Sequence, residues 1–541
     1  MAETLAQGLA AACRERGVRR AFGVPGGASS LDVIDAFAAD GIDFVLTHGE
    51  TSATLMAAVT AELGGAPGVV VTGVGPGAAS AVNGIAYAAL ERAPVLLITD
   101  ALAEAAPGHH ALHQRFDQRA LFAPLVKGYA RPEPGDGTNG IDQLLDTAMA
   151  HPAGPVQLDL TTAAATAPAT GAAAPEAKRR KTTKKAPKDF DLVALAEARG
   201  LLAQARRPLI VAGMEARGRP ASAALRVLVQ SLGCPVMTTY KAKGAIADAD
   251  PLTVGCFTGA SADARCLDRA DLLILFGLDP IELLPGPWRF EGPILALAAH
   301  AGYDYPAMPA ATLTGPLDRS AVALVEDAQP VGWSELEIAA LRSRLRAGFA
   351  MVGLGRRTAE DVVSAVRHAA PARARLTVDS GAHMFSAMGL WQADEPNDVL
   401  KSNGLSTMGF ALPAAIASAL EEPACPVIAM TGDGGLHMCL AELATAARLG
   451  CRIAVVVFND SALSLIDIKQ QRQQRESRGV RFGTMDHAKV AAGLGCWGWS
   501  VGATDALAPA LEEAFAHSGP TLIDVTVDPE AYTAQYEALR G

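Results

Sequence analysis

Short runs of β-branched and aliphatic residues, each closed by glycine, proline or a polar turn, alternate along the chain with stretches of helical spacing. The first third carries RAFGV, DFVLT, GVVVT and PVLLIT, the middle PLIVAG, PVMTT, LLILFG and PILALAA, and the last third RLTVD, PVIAMTG, IAVVVFN and PTLIDVTVD. Uninterrupted apolar runs of this length predict strands buried on both faces, and their alternation with helices predicts parallel sheets. The pattern breaks over 161–185, where an Ala/Thr/Pro tract leads into Lys178-Arg179-Arg180-Lys181 and Lys184-Lys185, a composition that marks a linker. The expectation is an α/β chain of three doubly wound parallel-sheet domains over residues 1–165, 191–345 and 346–541, with a basic linker over 166–190.

The stretch 426–460 carries the clearest chemistry. A strand over 427–430 runs into Gly432-Asp433-Gly434-Gly435. A helix follows with Leu436, Leu440, Leu443 and Ala447 on one stripe and Gly450 at its C′ position, and a strand over 453–458 then reaches Asn459 and Asp460. In a right-handed crossover both strands point the same way, so both turns emerge on one sheet edge. Glycines there let backbone N–H groups approach a phosphate, the helix N-terminus favours its charge, and a hard divalent cation bridges phosphate to Asp433 and the second turn. A diphosphate with Mg²⁺ is the predicted ligand. A GDG alone is more often only a turn; the second polar turn, 27 residues from Asp433 to Asp460, raises it to a site.

The pair of turns resembles the thiamine diphosphate (ThDP) enzymes, whose motif is GDG, a stretch of this length, then Asn-Asn. The resemblance implies that Asp433, Asp460 and the carbonyl of Ala462 bind Mg²⁺, with Asp460 standing where the family usually has Asn. It extends over nearly the whole chain. Phe22-Gly23-Val24-Pro25-Gly26-Gly27, His48-Gly49-Glu50 and Gly75-Pro76-Gly77 followed by Asn83-Gly84 resemble the pyrimidine-binding domain of the acetolactate synthase-like branch. It makes Pro25, Gly26, Gly27, Gly77 and Asn83 cofactor-binding residues. Glu50 becomes the group that hydrogen-bonds N1′ of the aminopyrimidine and promotes loss of the thiazolium C2 proton. From the residues alone, Thr47-x-x-Glu50 reads as a capping box, a role that is compatible with the catalytic one.

His113 and Gln114, ahead of Lys127, lie where related carboligases present active-site groups, although a polar surface loop reads equally well. The adjacent His109 and His110 are a weaker match to the histidine pair of some decarboxylases. His383 matches the family's His near the diphosphate. NGLSTMGFALP resembles GGLGTMGxGLP, placing the Ser406 carbonyl at the 4′-amine and Met408 under the bent cofactor. Leu463 and Ile466 fall on a helix expected over the thiazolium. Lys469 occupies the region where acetolactate synthases carry a Trp, a departure that points to an anionic or polar second substrate or to a solvent-facing lysine. The middle block resembles the family's central domain, which in some members holds FAD or a CoA nucleotide. It has no GxGxxG loop, so no ligand is assigned there.

The rest of the composition narrows the class. The 541 residues carry a net charge of −11, against a general nucleic-acid role, and no uncharged apolar run is long enough to span a membrane. Eight scattered cysteines without a CxxC pair, and an N-terminus lacking a basic segment before an apolar core, fit a reducing cytoplasm. The expectation is a ThDP- and Mg²⁺-dependent enzyme that decarboxylates a 2-oxo acid and releases an aldehyde or joins the fragment to a second carbonyl compound. Two alternatives stand: a lyase acting on a 2-hydroxy ketone or 2-hydroxyacyl-CoA, and a ThDP-binding regulatory subunit without catalysis. By resemblance the active site lies between subunits of a homodimer or homotetramer.

Overall fold

The computed structural model describes residues 3–103, 113–169, 190–284, 286–326, 328–329, 331–351 and 355–540. The basic linker cluster and the His109-His110 pair lie outside them. Three parallel six-stranded sheets follow one another along the chain. The first holds β1 (Arg20–Val24), β2 (Asp43–Leu46), β3 (Gly68–Thr72), β4 (Val95–Asp100), β5 (Tyr129–Ala130) and β6 (Val156–Leu160), in the order 2-1-3-4-6-5. The second holds β7 (Pro208–Ala212), β8 (Val236–Thr238), β9 (Thr253–Cys256), β10 (Leu272–Phe276), β11 (Ile294–Ala298) and β12 (Ala311–Thr314), in the order 12-11-10-7-8-9. The third holds β13 (Arg375–Val378), β14 (Val399–Lys401), β15 (Val427–Gly432), β16 (Ile453–Asn459), β17 (Trp497–Val501) and β18 (Thr521–Thr526), in the order 14-13-15-16-18-17. The first and third sheets therefore share one topology, and in both the strand order reverses beside the first strand, where open α/β sheets leave a crevice for ligands.

The apolar runs are strands because helices cover both sheet faces: every residue of β3, β4, β10 and β16 is buried. The β15–β16 register pairs Val427 with Ile453 through Gly432 with Phe458, so the two polar turns leave the sheet side by side. One expectation needs correction. The single helix after the GDG turn is two short ones, Asp433–His437 and Glu442–Arg448, separated by a turn over 438–441. The apolar stripe persists across the break, with Leu436 and Leu443 fully buried, while Gly450 is left-handed (φ +62°) as a C′ residue should be.

The helices Glu50–Gly64 and Ala411–Glu421 pack together and join the first and third domains into one core. A buried ionic cluster ties in the second. Lys241 Nζ lies 2.7 Å from Glu62 and 3.1 Å from Glu91, and Arg217 lies 2.7 Å from Glu62. Glu62 is held down at about 2, against burial, by the two cations beside it.

Candidate active site

Four strand-end segments of the third domain converge on one cavity of about 680 Å³: Ser380-Gly381-Ala382-His383, Ser406 with Met408, Gly432 to Gly435, and Asp460 with Ala462 to Ile466. Asp379, at the end of β13, organises them. Its buried carboxylate accepts from the N–H of Gly409 (3.0 Å) and of Ser380 (2.9 Å) and from the Thr431 hydroxyl (3.0 Å). A Cβ on Gly435 would sit 2.5 Å from Asp379 Oδ2, so the fourth residue of the GDGG turn has to be glycine. Asp379 was not among the sequence-derived candidates, although an acid closing RLTVD at a strand end was the available signal.

Asp433 is 2% exposed; Oδ1 accepts from the Gly434 N–H at 2.7 Å and Oδ2 from the Ser461 N–H at 2.6 Å. Asp460 accepts from the Ala462 N–H (3.1 Å) and the Ser464 hydroxyl (2.5 Å). Burial, with Asp433 close by, pushes the Asp460 carboxyl up to about 7, and burial raises Asp433 as well. A buried and a half-buried carboxylate with spare lone pairs and no ion-pair partner among the described residues suit a hard divalent cation, so the donor set fits Mg²⁺. The turn after Asp460 is clamped from outside: Leu463 N–H donates to Val480 O at 2.7 Å and Phe482 N–H to Ser461 O at 3.1 Å.

His383 is 3% exposed, stacked on Phe458 at 5.0 Å, and burial lowers its imidazole to about 4, so it is neutral. Its Nε2 and the Ser380 hydroxyl on the same wall are buried without a hydrogen-bond partner. The orphaned Ser380 hydroxyl at a strand-end turn is a donor that a diphosphate would satisfy. Ser406 has a left-handed backbone (φ +53°), strained for a non-glycine residue. Its loop is fixed by Glu91, which accepts from the N–H of Asn403 (2.5 Å) and Gly404 (2.8 Å). The Met408 methyl lies 3.6 Å from where a Cβ on Gly434 would be, which sets it against the GDG turn. Lys469 and Ile466 are exposed on the cavity wall.

The other predicted group forms a separate cluster on the first sheet. Glu50 opens the helix Glu50–Gly64, and its Oε1 lies 3.2 Å from where a Cβ on Gly77 would sit. The capping box does not form: the N-cap is Gly49, without a side-chain bond, and the Thr47 hydroxyl donates instead to Gly49 O at 3.1 Å. The Glu50 carboxylate is thereby left without a structural partner among the described residues. Gly26 packs 2.7 Å, as a built Cβ, from Gly73 Cα, with Pro25 and Gly27 beside it; Gly75 (φ +67°) faces the Gln114 backbone. Gln118, which the sequence reading missed, holds this turn by accepting from the Gly75 N–H at 3.0 Å.

His113 and Gln114 are exposed, and Lys127 is spent on the carbonyls of Thr147 and Ala150, both at 2.6 Å. Asn83 accepts from the Thr407 hydroxyl of its own chain at 3.1 Å. No described residue of the first domain lines the cavity that holds Asp433.

At the corresponding edge of the second sheet the chain satisfies its own N–H groups. Glu282 accepts from those of Met214 (2.8 Å) and Asp279 (3.2 Å), and Glu215 from that of Ala299 (2.9 Å). The carboxyl groups of Glu282 and Glu215 already take up the N–H groups that a nucleotide diphosphate would use, so these residues do not fit FAD there.

Three models of the thiamine pyrophosphate enzymes match the chain in sequence: the N-terminal TPP binding domain over residues 3–121, the central domain over 195–291 and the C-terminal TPP binding domain over 379–525. An acetolactate synthase of Bacillus subtilis (strain 168) is 29% identical over 537 residues, covering 95% of this chain and 91% of the relative. The catabolic acetolactate synthase of Raoultella terrigena is 28% identical, covering 95% and 93%. A probable 2-ketoarginine decarboxylase of Pseudomonas aeruginosa is 28% identical over 558 residues, covering 96% and 94%. Matched in order by all three domain models, the chain belongs to the thiamine diphosphate-dependent enzymes of the acetolactate synthase-like superfamily.

Proposed function

We propose that the protein, with ThDP and Mg²⁺, decarboxylates a 2-oxo acid and either releases the aldehyde or adds the remaining fragment to a second carbonyl compound. The observation that carries this reading is the cavity in which Asp433, Asp460 and the Ser406–Met408 segment meet, together with a Glu50 carboxylate left free at the matching edge of the first sheet. Bound ThDP supplies a nucleophilic thiazolium carbon and an electron sink. Asp433, Asp460 and the Ala462 carbonyl would hold Mg²⁺, which would bind the diphosphate. Ser380 would donate to the diphosphate, and the neutral His383 imidazole, whose one N–H goes to the Met430 carbonyl, adds no charge there. Met408 would support the bound ThDP, and the Ser406 carbonyl would accept from its aminopyrimidine. Glu50 holds a proton at N1′ of the aminopyrimidine. Because Glu50 and Asp433 lie in separate clusters of one chain, the complete site takes Glu50 from a second subunit, and a homodimer is the smallest active unit.

The experiment is proton NMR of product mixtures from cofactor-stripped protein given a panel of 2-oxo acids, with and without ThDP and Mg²⁺. Cofactor-dependent aldehyde or hydroxy-ketone products are expected. Consumption of none of the acids, with ThDP bound, would contradict the reading.

A further inference from the structure

On the proposed reading of the cavity as a 2-oxo acid site, its walls carry further information about the acid. Beyond the turns that meet the cofactor, three elements close it: the segment ending in Arg289 from the second domain, the helix Ser464–Arg472 with Lys469, and the C-terminal helix Ala531–Arg540 with Tyr532, Tyr536 and Arg540. Each of the three contributes a cation. The only carboxylates among the described lining residues are Asp433 and Asp460, which the metal accounts for.

The three cations are not used up by the fold. Arg289 and Lys469 make no side-chain hydrogen bond or ion pair among the described residues, and both are exposed to the cavity mouth. Arg540 hydrogen-bonds Tyr240 and lies 5.5 Å over the Phe385 ring, yet its Nη1 is buried with no partner. Three cations without an ion-pair partner among the described residues, gathered around one cavity of a chain with a net charge of −11, mark an anion's place.

We propose that the 2-oxo acid taken by this cavity carries a second anionic group on its side chain, which Arg289, Lys469 and Arg540 receive while the 2-oxo carboxylate is lost as CO₂. The C1–C2 bond breaks, CO₂ leaves, and the electron pair left on C2 takes up a proton or the carbonyl carbon of a second molecule. The second anion stays on the product. The same walls disfavour a side chain with a guanidinium, the group implied by the name of the Pseudomonas relative.

The test uses three acids of similar length and different charge: 2-oxoglutarate, 2-oxovalerate and 2-oxo-5-guanidinovalerate, each with the ThDP–Mg²⁺ holoenzyme. The expected order of kcat/KM is anionic over neutral over cationic. Arg289→Gln and Lys469→Gln, both surface changes, should each reduce the preference for 2-oxoglutarate over 2-oxovalerate by about tenfold, the value of one charge-assisted contact. Equal turnover of the neutral and anionic acids overturns the inference and leaves the decarboxylase reading intact. Turnover of none overturns that reading first. A fall in ThDP affinity matching the fall in kcat/KM assigns the cations to the cofactor's diphosphate and also overturns the inference.

Discussion

The peptide N–H of His48 donates to the Glu442 carboxylate at 3.0 Å, joining the turn that ends in Glu50 to the helix that follows the Asp433 turn. Glu442 is 2% exposed and also accepts from the Thr445 hydroxyl at 2.7 Å; Thr445 Oγ1 in turn lies 2.9 Å from His48 Nδ1, which that network makes the protonated ring nitrogen. A carboxylate of the diphosphate-binding domain thus fixes the entry to the helix that presents the catalytic candidate.

Glu442→Ala should leave the His48 N–H and the Thr445 hydroxyl short of an acceptor, a loss of about 1–3 kcal/mol in local order. The expected result is slower exchange of the ThDP C2 proton for deuterium with ThDP affinity retained, and partial recovery in Glu442→Gln, which keeps one acceptor oxygen. Equal loss of affinity and exchange would mean that Glu442 only supports the fold.

Glu50→Gln should lower the C2 exchange rate and turnover by about a hundredfold or more, the scale of one general acid–base contribution, with the cofactor still bound. Full activity in this variant would remove Glu50 from the mechanism.

Asp433→Ala should abolish Mg²⁺-dependent ThDP binding by calorimetry, since it deletes a candidate metal ligand and the acceptor for the Gly434 and Ser461 N–H groups. Unchanged affinity would place the metal elsewhere.

Glu282 supplies a pH dependence outside the active site. Burial pushes its carboxyl up to about 8, opposed by the hydrogen bonds from Thr239, Met214 and Asp279. A carboxyl whose folded value lies above its unfolded one stabilises the fold at low pH and loses that contribution as pH rises from about 4.5 to about 8. Glu282→Gln, which keeps the neutral shape, should flatten the fall in melting temperature across that window. Glu282→Leu should destabilise at every pH, because the Met214 and Asp279 N–H groups lose their acceptor. An unchanged pH profile in the Gln variant would show that Glu282 stays ionised.

Much of the fold was legible because it rests on local pattern. Strands such as LLILF at 272–276 are apolar throughout, which only burial on both faces allows. The Asp433 and Asp460 turns were legible from spacing alone, since a crossover fixes which ends of β15 and β16 coincide. The break after His437 was not, because Leu436 and Leu443 stay buried whether the segment is one helix or two. The Thr47–Glu50 capping box failed for a similar reason: the residue types permit it, but the chain starts the helix at Glu50 itself. Glu91, Gln118 and Glu442 act across 43 to 394 residues of sequence, on Gly404, Gly75 and His48, and no local pattern announces contacts of that range.

The central claim, that Glu50 of one subunit serves the Asp433 site of another, is tested most directly by complementation. Glu50→Ala and Asp433→Ala, each inactive alone, are co-expressed with different tags and the doubly tagged species is purified. One of its two sites then has both wild-type residues, so about half of the wild-type activity per dimer is expected. No recovered activity in a confirmed mixed dimer would contradict the account.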